Sequence, residues 1–198
     1  DFMKNWYLFL MLSGILFACN NSGSQKFISA DNRNIALIGR FDLTDKTSPV
    51  FMYSGSVIRT VFNGTSIEVI LEDDSLRNMF NVIIDDSVFI LTTNKPDGTY
   101  LLASNLEDRK HSIEIYRRTE WHAGNTTFKG FNLDKSKKLY KPSVKERVIE
   151  FIGDSYTCGY GNEGKSREEH FRYETENNYL TYGSLTARAI DAEYVGIC

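Results

Sequence analysis

Cysteine is scarce in this chain. Cys19, Cys158 and Cys198 are the three among 198 residues, and no two of them form a Cys-x-x-Cys pair. That excludes a zinc knuckle, a thioredoxin-type dithiol and a disulfide-dense scaffold. Proline is rarer than usual at 3 and glycine stands at 14, which excludes collagen, low-complexity linkers and wholesale disorder. Neither sign of charge dominates. With 23 Lys+Arg against 26 Asp+Glu the net charge is −3, so no general attraction to nucleic acid is expected. The uncharged apolar run at residues 6–18 (WYLFLMLSGILFA) has 13 residues, short of the ~20 that span a bilayer as a helix. What the chain has in quantity is Phe (13) and Tyr (11), a composition that leans towards β-structure. Its length falls between one and two domains.

The apolar run follows Lys4 and ends in small residues, the pattern of a secretory signal. Leu16-Phe17-Ala18-Cys19 resembles the bacterial lipobox. That resemblance implies a signal peptide over residues 1–18, lipidation of Cys19 and a tether over residues 19–34 that begins Asn20-Asn21-Ser22-Gly23-Ser24. It predicts an exported lipoprotein of the bacterial cell envelope, in the periplasm or at the outer membrane, meeting the membrane through its N-terminal lipid. A plain signal peptide and a buried apolar helix are the alternatives.

From residue 35 to about 133 the chain is a series of short β-like runs. In residues 66–71 (SIEVIL), Ile67, Val69 and Leu71 alternate onto one face. Asn63-Gly64 is a strong turn signal, and Asp85-Asp86-Ser87 between two apolar runs predicts a tight hairpin. Strands at this spacing predict a mostly β fold, a two-sheet sandwich of jelly-roll type over residues 35–138. A polar hinge at residues 139–146 ends it. Residues 147–152 (RVIEFI) then read as a strand of the kind buried in a parallel sheet. A helix over residues 178–192, with Tyr182, Leu185, Ala189 and Ala192 on one face, and a second strand at residues 193–198 complete a βα(β) unit.

Gly153-Asp154-Ser155 follows the apolar strand directly. Ligands of α/β sheets bind beyond the carboxyl ends of the strands, where Ser155 would stand. Gly153 permits a tight turn that pushes the hydroxyl outward, and the Ser155 backbone N–H is placed to meet a developing oxyanion. The bland reading of the tripeptide is an ordinary turn.

Residues 149–164 (IEFIGDSYTCGYGNEG) resemble the first block of the GDSL, or SGNH, hydrolases. Thr175-Glu176-Asn177, Tyr182-Gly183 and Thr186-Ala187-Arg188 narrow the resemblance to carbohydrate esterase family 2. Upstream, Tyr53-Ser54-Gly55-Ser56, Phe62-Asn63-Gly64-Thr65 and Arg118-Thr119-Glu120 are similar to that family's N-terminal jelly roll. The resemblance implies a serine esterase that removes O-acetyl groups from plant-wall polysaccharides such as xylan and mannan. Ser155 is then the nucleophile and an oxyanion donor, with Asp154 and Gly153 shaping its loop. Its partners are acetylated polysaccharides or oligosaccharides, and no cofactor is needed. The family's other two oxyanion donors, a Gly and an Asn, and its catalytic His belong beyond Cys198. The chain therefore reads as a C-terminally truncated fragment, inactive by itself, since serine is a poor nucleophile without a base.

The histidines do not replace that base. His111 reads as a sandwich residue, His122 as a loop residue beside Trp121, and His170 as a solvated residue between charges. Glu168, Glu169 and His170 lack the spacing of a metal site, and no metal is expected. Cys158 and Cys198 read as either a disulfide or two buried thiols. Two alternatives stand beside the esterase: a non-catalytic sugar-binding β-sandwich lipoprotein, stacking sugars on Trp121, Tyr53 or Tyr140, and a GDSL lipase or thioesterase.

Overall fold

A computed structural model describes residues 25–198. The signal peptide, Cys19 and the start of the tether lie outside these residues. Two antiparallel sheets face each other. The first orders β1 (Gln25–Ser29), β10 (Thr126–Asp134), β5 (Ile67–Asp73) and β8 (Asp97–Ala103), with β3 (Val50–Phe51) also on β10. The second orders β11 (Leu139–Tyr140), β4 (Val57–Gly64), β9 (Arg109–Arg117), β6 (Met79–Ile84) and β7 (Ser87–Thr92), with β2 (Ala36–Ile38) on β4.

The alternation in β5 has the predicted consequence. Ile67, Val69 and Leu71 are fully buried and meet Ile58, Phe62, Val82, Ile113 and Ile115 of the facing sheet. Asp85-Asp86 turns β6 into β7 as a hairpin, with Ile84 opposite Ser87. Asp85 adopts φ +50° there and accepts from the Ser112 amide at 2.9 Å and from His111 Nδ1 at 2.8 Å. Burial pushes the Asp85 carboxyl up, but these bonds and the nearby Arg109 charge outweigh it and leave its pKa below the usual range.

The sandwich is longer than the sequence predicted at both ends. Residues 25–29, assigned to the tether, form β1 and pair with β10, burying Ile28 and Ala30. Leu139 and Tyr140, assigned to the linker, pair with Phe62 and Val61 of β4. β1 (QKFIS) carries its two apolar residues, Phe27 and Ile28, side by side and shows no alternation of its own, so its partner strand decides its conformation. Asn63-Gly64 does not close a hairpin, since β4 and β5 belong to different sheets. The chain crosses between the sheets here, and the Asp134 carboxylate holds the crossing by accepting from the Thr65 amide at 3.1 Å and the Ser66 hydroxyl at 2.6 Å.

Strands β12 (Arg147–Ile152) and β13 (Ala192–Ile197) pair in parallel, with α2 (Tyr182–Ala189) between them in sequence. Two expectations change here. The helix is shorter than residues 178–192. Residues 178–180 form a single 3-10 turn, and Thr181 caps α2 by accepting from the Ser184 amide. The buried face is Gly183, Ser184 and Ala187, while Tyr182 and Leu185 are exposed. Small residues win that face because α2 lies hard against aromatic rings; a Cβ on Gly183 would stand 3.0 Å from both Phe151 and Tyr194. Likewise β12 is not buried on both faces, since Val148 and Ile152 are 64% and 75% exposed.

Candidate active site

The strand, a two-residue connection and a one-turn helix build the site. Gly153 extends the β12 ladder, its amide donating to the Ile197 carbonyl at 2.9 Å. Asp154 then caps α1 (Ser155–Cys158), its carboxylate accepting from the Tyr156 amide at 3.0 Å. Ser155 is the first residue of α1, exposed at the carboxyl end of a parallel strand. Among the described residues neither its hydroxyl nor its amide has a hydrogen-bond partner. The predicted residues Gly153, Asp154 and Ser155 thus form one elbow. The glycine is needed for space, however, and not for a special turn angle. A Cβ there would lie 2.0 Å from Thr157 Oγ1, which shares a hydrogen bond with the Tyr182 hydroxyl at 2.7 Å.

Cys158, the last residue of α1, forms a disulfide with Cys198 at the end of β13. This settles the alternative left open by the sequence. The Ser54 hydroxyl lies 3.3 Å from Cys158 Sγ and 3.5 Å from Cys198 Sγ, so the loop before β4 backs the bridge. Gly55 beside it needs its φ of +77° and its lack of side chain, because a Cβ would meet the Tyr194 ring at 2.4 Å.

The sandwich holds this elbow through buried polar groups. Asn178 is the hub. Its Nδ2 donates to the Thr157 carbonyl at 3.0 Å, and its Oδ1 accepts from the Tyr116 hydroxyl at 2.7 Å and the Ser184 hydroxyl at 3.1 Å. Arg118, 1% exposed, donates to the Glu176 carbonyl (3.2 Å), the Glu174 carbonyl (3.2 Å), Asn81 Oδ1 and the Glu163 carboxylate. Arg117, also buried, donates to the Thr119, Phe51 and Gly124 carbonyls at 2.9, 3.1 and 2.7 Å. Burial lowers its pKa to about 9. Arg59 spans the two parts, with Nε 2.6 Å from Glu114 and a two-pronged contact to Glu193 at 2.5 and 3.1 Å.

Glu120, His122 and Glu176 converge beside Arg118, with their ligand-capable atoms within 4.8 Å of one another. Burial pushes the Glu176 carboxyl up to about 8, and the neighbouring Glu120 carboxylate adds to the rise. Burial also raises Glu120. Trp121, Tyr160, Phe171 and Tyr173 gather around the His122 ring at 5.3–6.2 Å between centroids. Tyr160 and Phe171 stack at 3.8 Å. The sequence did not single out this cluster. Its one legible signal was the pair of motifs Arg118-Thr119-Glu120 and Thr175-Glu176-Asn177.

The other named residues lie apart. His111 is buried in the sandwich between Asp85 and the Glu107 carbonyl. His170 is exposed, and no hydrogen bond joins Ser155 to any of the three histidines. Tyr53 lies under Arg40 and Tyr140 under Lys110, whereas Trp121 is 58% exposed. A groove of 570 Å³ between the two parts is lined by Arg59, Glu114, Lys145 and Asp191 and does not include Ser155.

A family profile described as "Carbohydrate esterase 2 N-terminal" matches residues 37–142. The chain is 39% identical over 163 residues to the cellulase/esterase CelE of Acetivibrio thermocellus, covering 82% of this chain and 20% of that protein. It is 35% identical over 149 residues to an acetylxylan esterase / glucomannan deacetylase of Cellvibrio japonicus, covering 74% and 41%. Among solved structures, a family two carbohydrate esterase from Clostridium thermocellum in complex with cellohexaose superposes with a TM-score of 0.78 at 38% identity, covering 82% of this chain and 50% of that one. The chain therefore spans less than half the length of these two curated relatives.

Proposed function

The chain belongs to the carbohydrate esterase 2 family, and on that premise we propose that the protein is a carbohydrate O-acetyl esterase with Ser155 as its nucleophile. The observation that carries this is the elbow itself: an exposed serine, without a hydrogen-bond partner among the described residues, on the first turn after a parallel strand. An SGNH-type hydrolase needs a serine in that place. Ser155 Oγ attacks the acetyl carbonyl carbon, and the Ser155 N–H donates to the oxygen that becomes negative. Collapse of the adduct releases the sugar hydroxyl and leaves the acetyl group on Ser155, from which water removes it as acetate. A base must take the Ser155 proton and return it to the sugar oxygen. Among the described residues, none of His111, His122 and His170 is hydrogen-bonded to Ser155.

The substrates in this reading are acetylated xylan and glucomannan, the polymers named for the Cellvibrio relative. The exposed rings of Trp121 and Tyr160 offer apolar faces of the kind on which sugars pack. The protein is exported and held at the cell envelope through a lipid on Cys19, a reading supported by Lys4 and the apolar run before the lipobox-like Leu16-Phe17-Ala18-Cys19. Acetate release from acetylated xylan by the whole protein tests the activity. Loss of that release in Ser155→Ala supports the assignment, and its persistence refutes it.

A further inference from the structure

We propose that Glu120, His122 and Glu176 form a binding site for a divalent transition-metal ion of the zinc type, at the seam between the sandwich and the segment that leads into α2. The inference stands apart from the esterase reading and does not depend on it.

Four observations carry it. First, the donor set is one imidazole nitrogen and two carboxylate oxygens, all within 4.8 Å of one another. Such a set suits zinc, with a fourth position left for water. Second, His122 Nδ1 already lies 3.3 Å from Glu120 Oε1. Two ligands about 2.1 Å from a tetrahedral ion stand ~3.4 Å apart, so this pair needs almost no movement. Third, Glu176 is fully buried, and among the described residues its Oε2 has no hydrogen-bond partner. Its other oxygen accepts from the Glu120 amide at 2.9 Å, which fixes the carboxylate in place and leaves Oε2 as the spare donor. A buried carboxylate oxygen without a partner is rare and calls for a cation or a proton.

Fourth, the two neighbouring guanidinium groups are committed elsewhere. Arg118 donates to the Glu176 main-chain carbonyl and to Glu163, Glu174 and Asn81. Arg117 donates to main-chain carbonyls and Thr126. Neither makes an ion pair with the Glu120 or Glu176 carboxylate. The packing of Phe171 and Tyr173 against the His122 ring holds the imidazole for the ion, with centroids at 5.5 and 5.3 Å. A bound ion would join the turn after β9 to the start of the Glu176-Asn177-Asn178 run and so clamp the seam.

The test is calorimetric titration of the chelator-stripped full chain with zinc chloride, with calcium chloride as a hard-ion control. One zinc per chain and no calcium binding are expected, together with a rise in melting temperature on zinc addition. His122→Ala and Glu176→Gln each weaken zinc at least tenfold, whereas His170→Ala, in an exposed loop, leaves it unchanged. The His122 side chain is 27% exposed, so His122→Ala decides the matter even if Glu176→Gln fails to fold. Absence of stoichiometric zinc binding overturns the proposal. So does zinc binding that survives His122→Ala unchanged, which marks adventitious uptake.

Discussion

Replacing both Cys158 and Cys198 with serine isolates what the bridge contributes to the clamp on α1. The disulfide closes a loop with a sequence separation of 40. In the chain-entropy treatment, a loop of that length removes about 13 cal/mol/K from the unfolded ensemble, or ~4 kcal/mol at 25 °C. Serine is slightly smaller than cysteine, and Ser54 already lies against both sulfurs, so the native packing changes little. With a urea m-value of about 2 kcal/mol/M, the double variant should unfold at a midpoint roughly 2 M below the parent. The parent measured in reductant should fall to the same midpoint. Peptide mapping after alkylation provides the second readout. Cys158 and Cys198 should resist alkylation in unfolded parent protein until reductant is added. Coincident midpoints for variant and unreduced parent, or alkylation of Cys158 without reductant, would refute the reasoning.

Three further outcomes are expected. Arg59→Met leaves Glu193, whose side chain is 6% exposed, without its cation; the loss should be ~3–5 kcal/mol, and adding Glu193→Gln should recover more than half of it. A double-mutant cycle in urea with a coupling near zero would show that this pair does not tie the two parts together. Gly153→Ala forces a Cβ onto Thr157 Oγ1 and should cost about 1–3 kcal/mol in thermal unfolding, most of it relieved by Thr157→Ala. Asp85 has its pKa lowered in the folded chain. Its stabilising contribution is therefore present above the unfolded value of about 3.9 and is lost as the pH falls through the lower folded value. Asp85→Asn should cost about 1–3 kcal/mol at pH 7 and clearly less at pH 2.5, and an equal cost at both would contradict the ion-pair and hydrogen-bond account.

Local pattern made much of this legible. Strict alternation of Ile67, Val69 and Leu71 marks a half-buried strand whatever its neighbours, and β5 followed it. The Asp85-Asp86 hairpin and the parallel pairing of β12 with β13 were legible for the same reason. So was Ser155, whose place after an apolar strand is a local property. What stayed hidden depends on distant partners. Residues 25–29 show no apolar alternation and become β1 because β10 offers an edge. Arg117 and Arg118 read as surface cations in a sequence, since such side chains are seldom fully buried; carbonyls from three separate segments satisfy them here. Glu120 and Glu176 are 56 positions apart, and only the fold shows that their carboxyls share one site. The buried face of α2 is hidden because hydrophobicity points to Tyr182 and Leu185, whereas close approach to Phe151 and Tyr194 selects Gly183, and Ala187 is buried with it.

Formation of an acetyl-enzyme on Ser155 is decided by one comparison. Hydrolysis of an aryl acetate is measured for the whole protein and for its Ser155→Ala variant, with folding checked by circular dichroism. Removing a serine nucleophile from an intact hydrolase costs a factor on the order of 10⁶ in turnover. A loss of at least ~10³-fold is expected, with the fold unchanged. A Ser155→Ala protein that keeps the activity of its parent would contradict it.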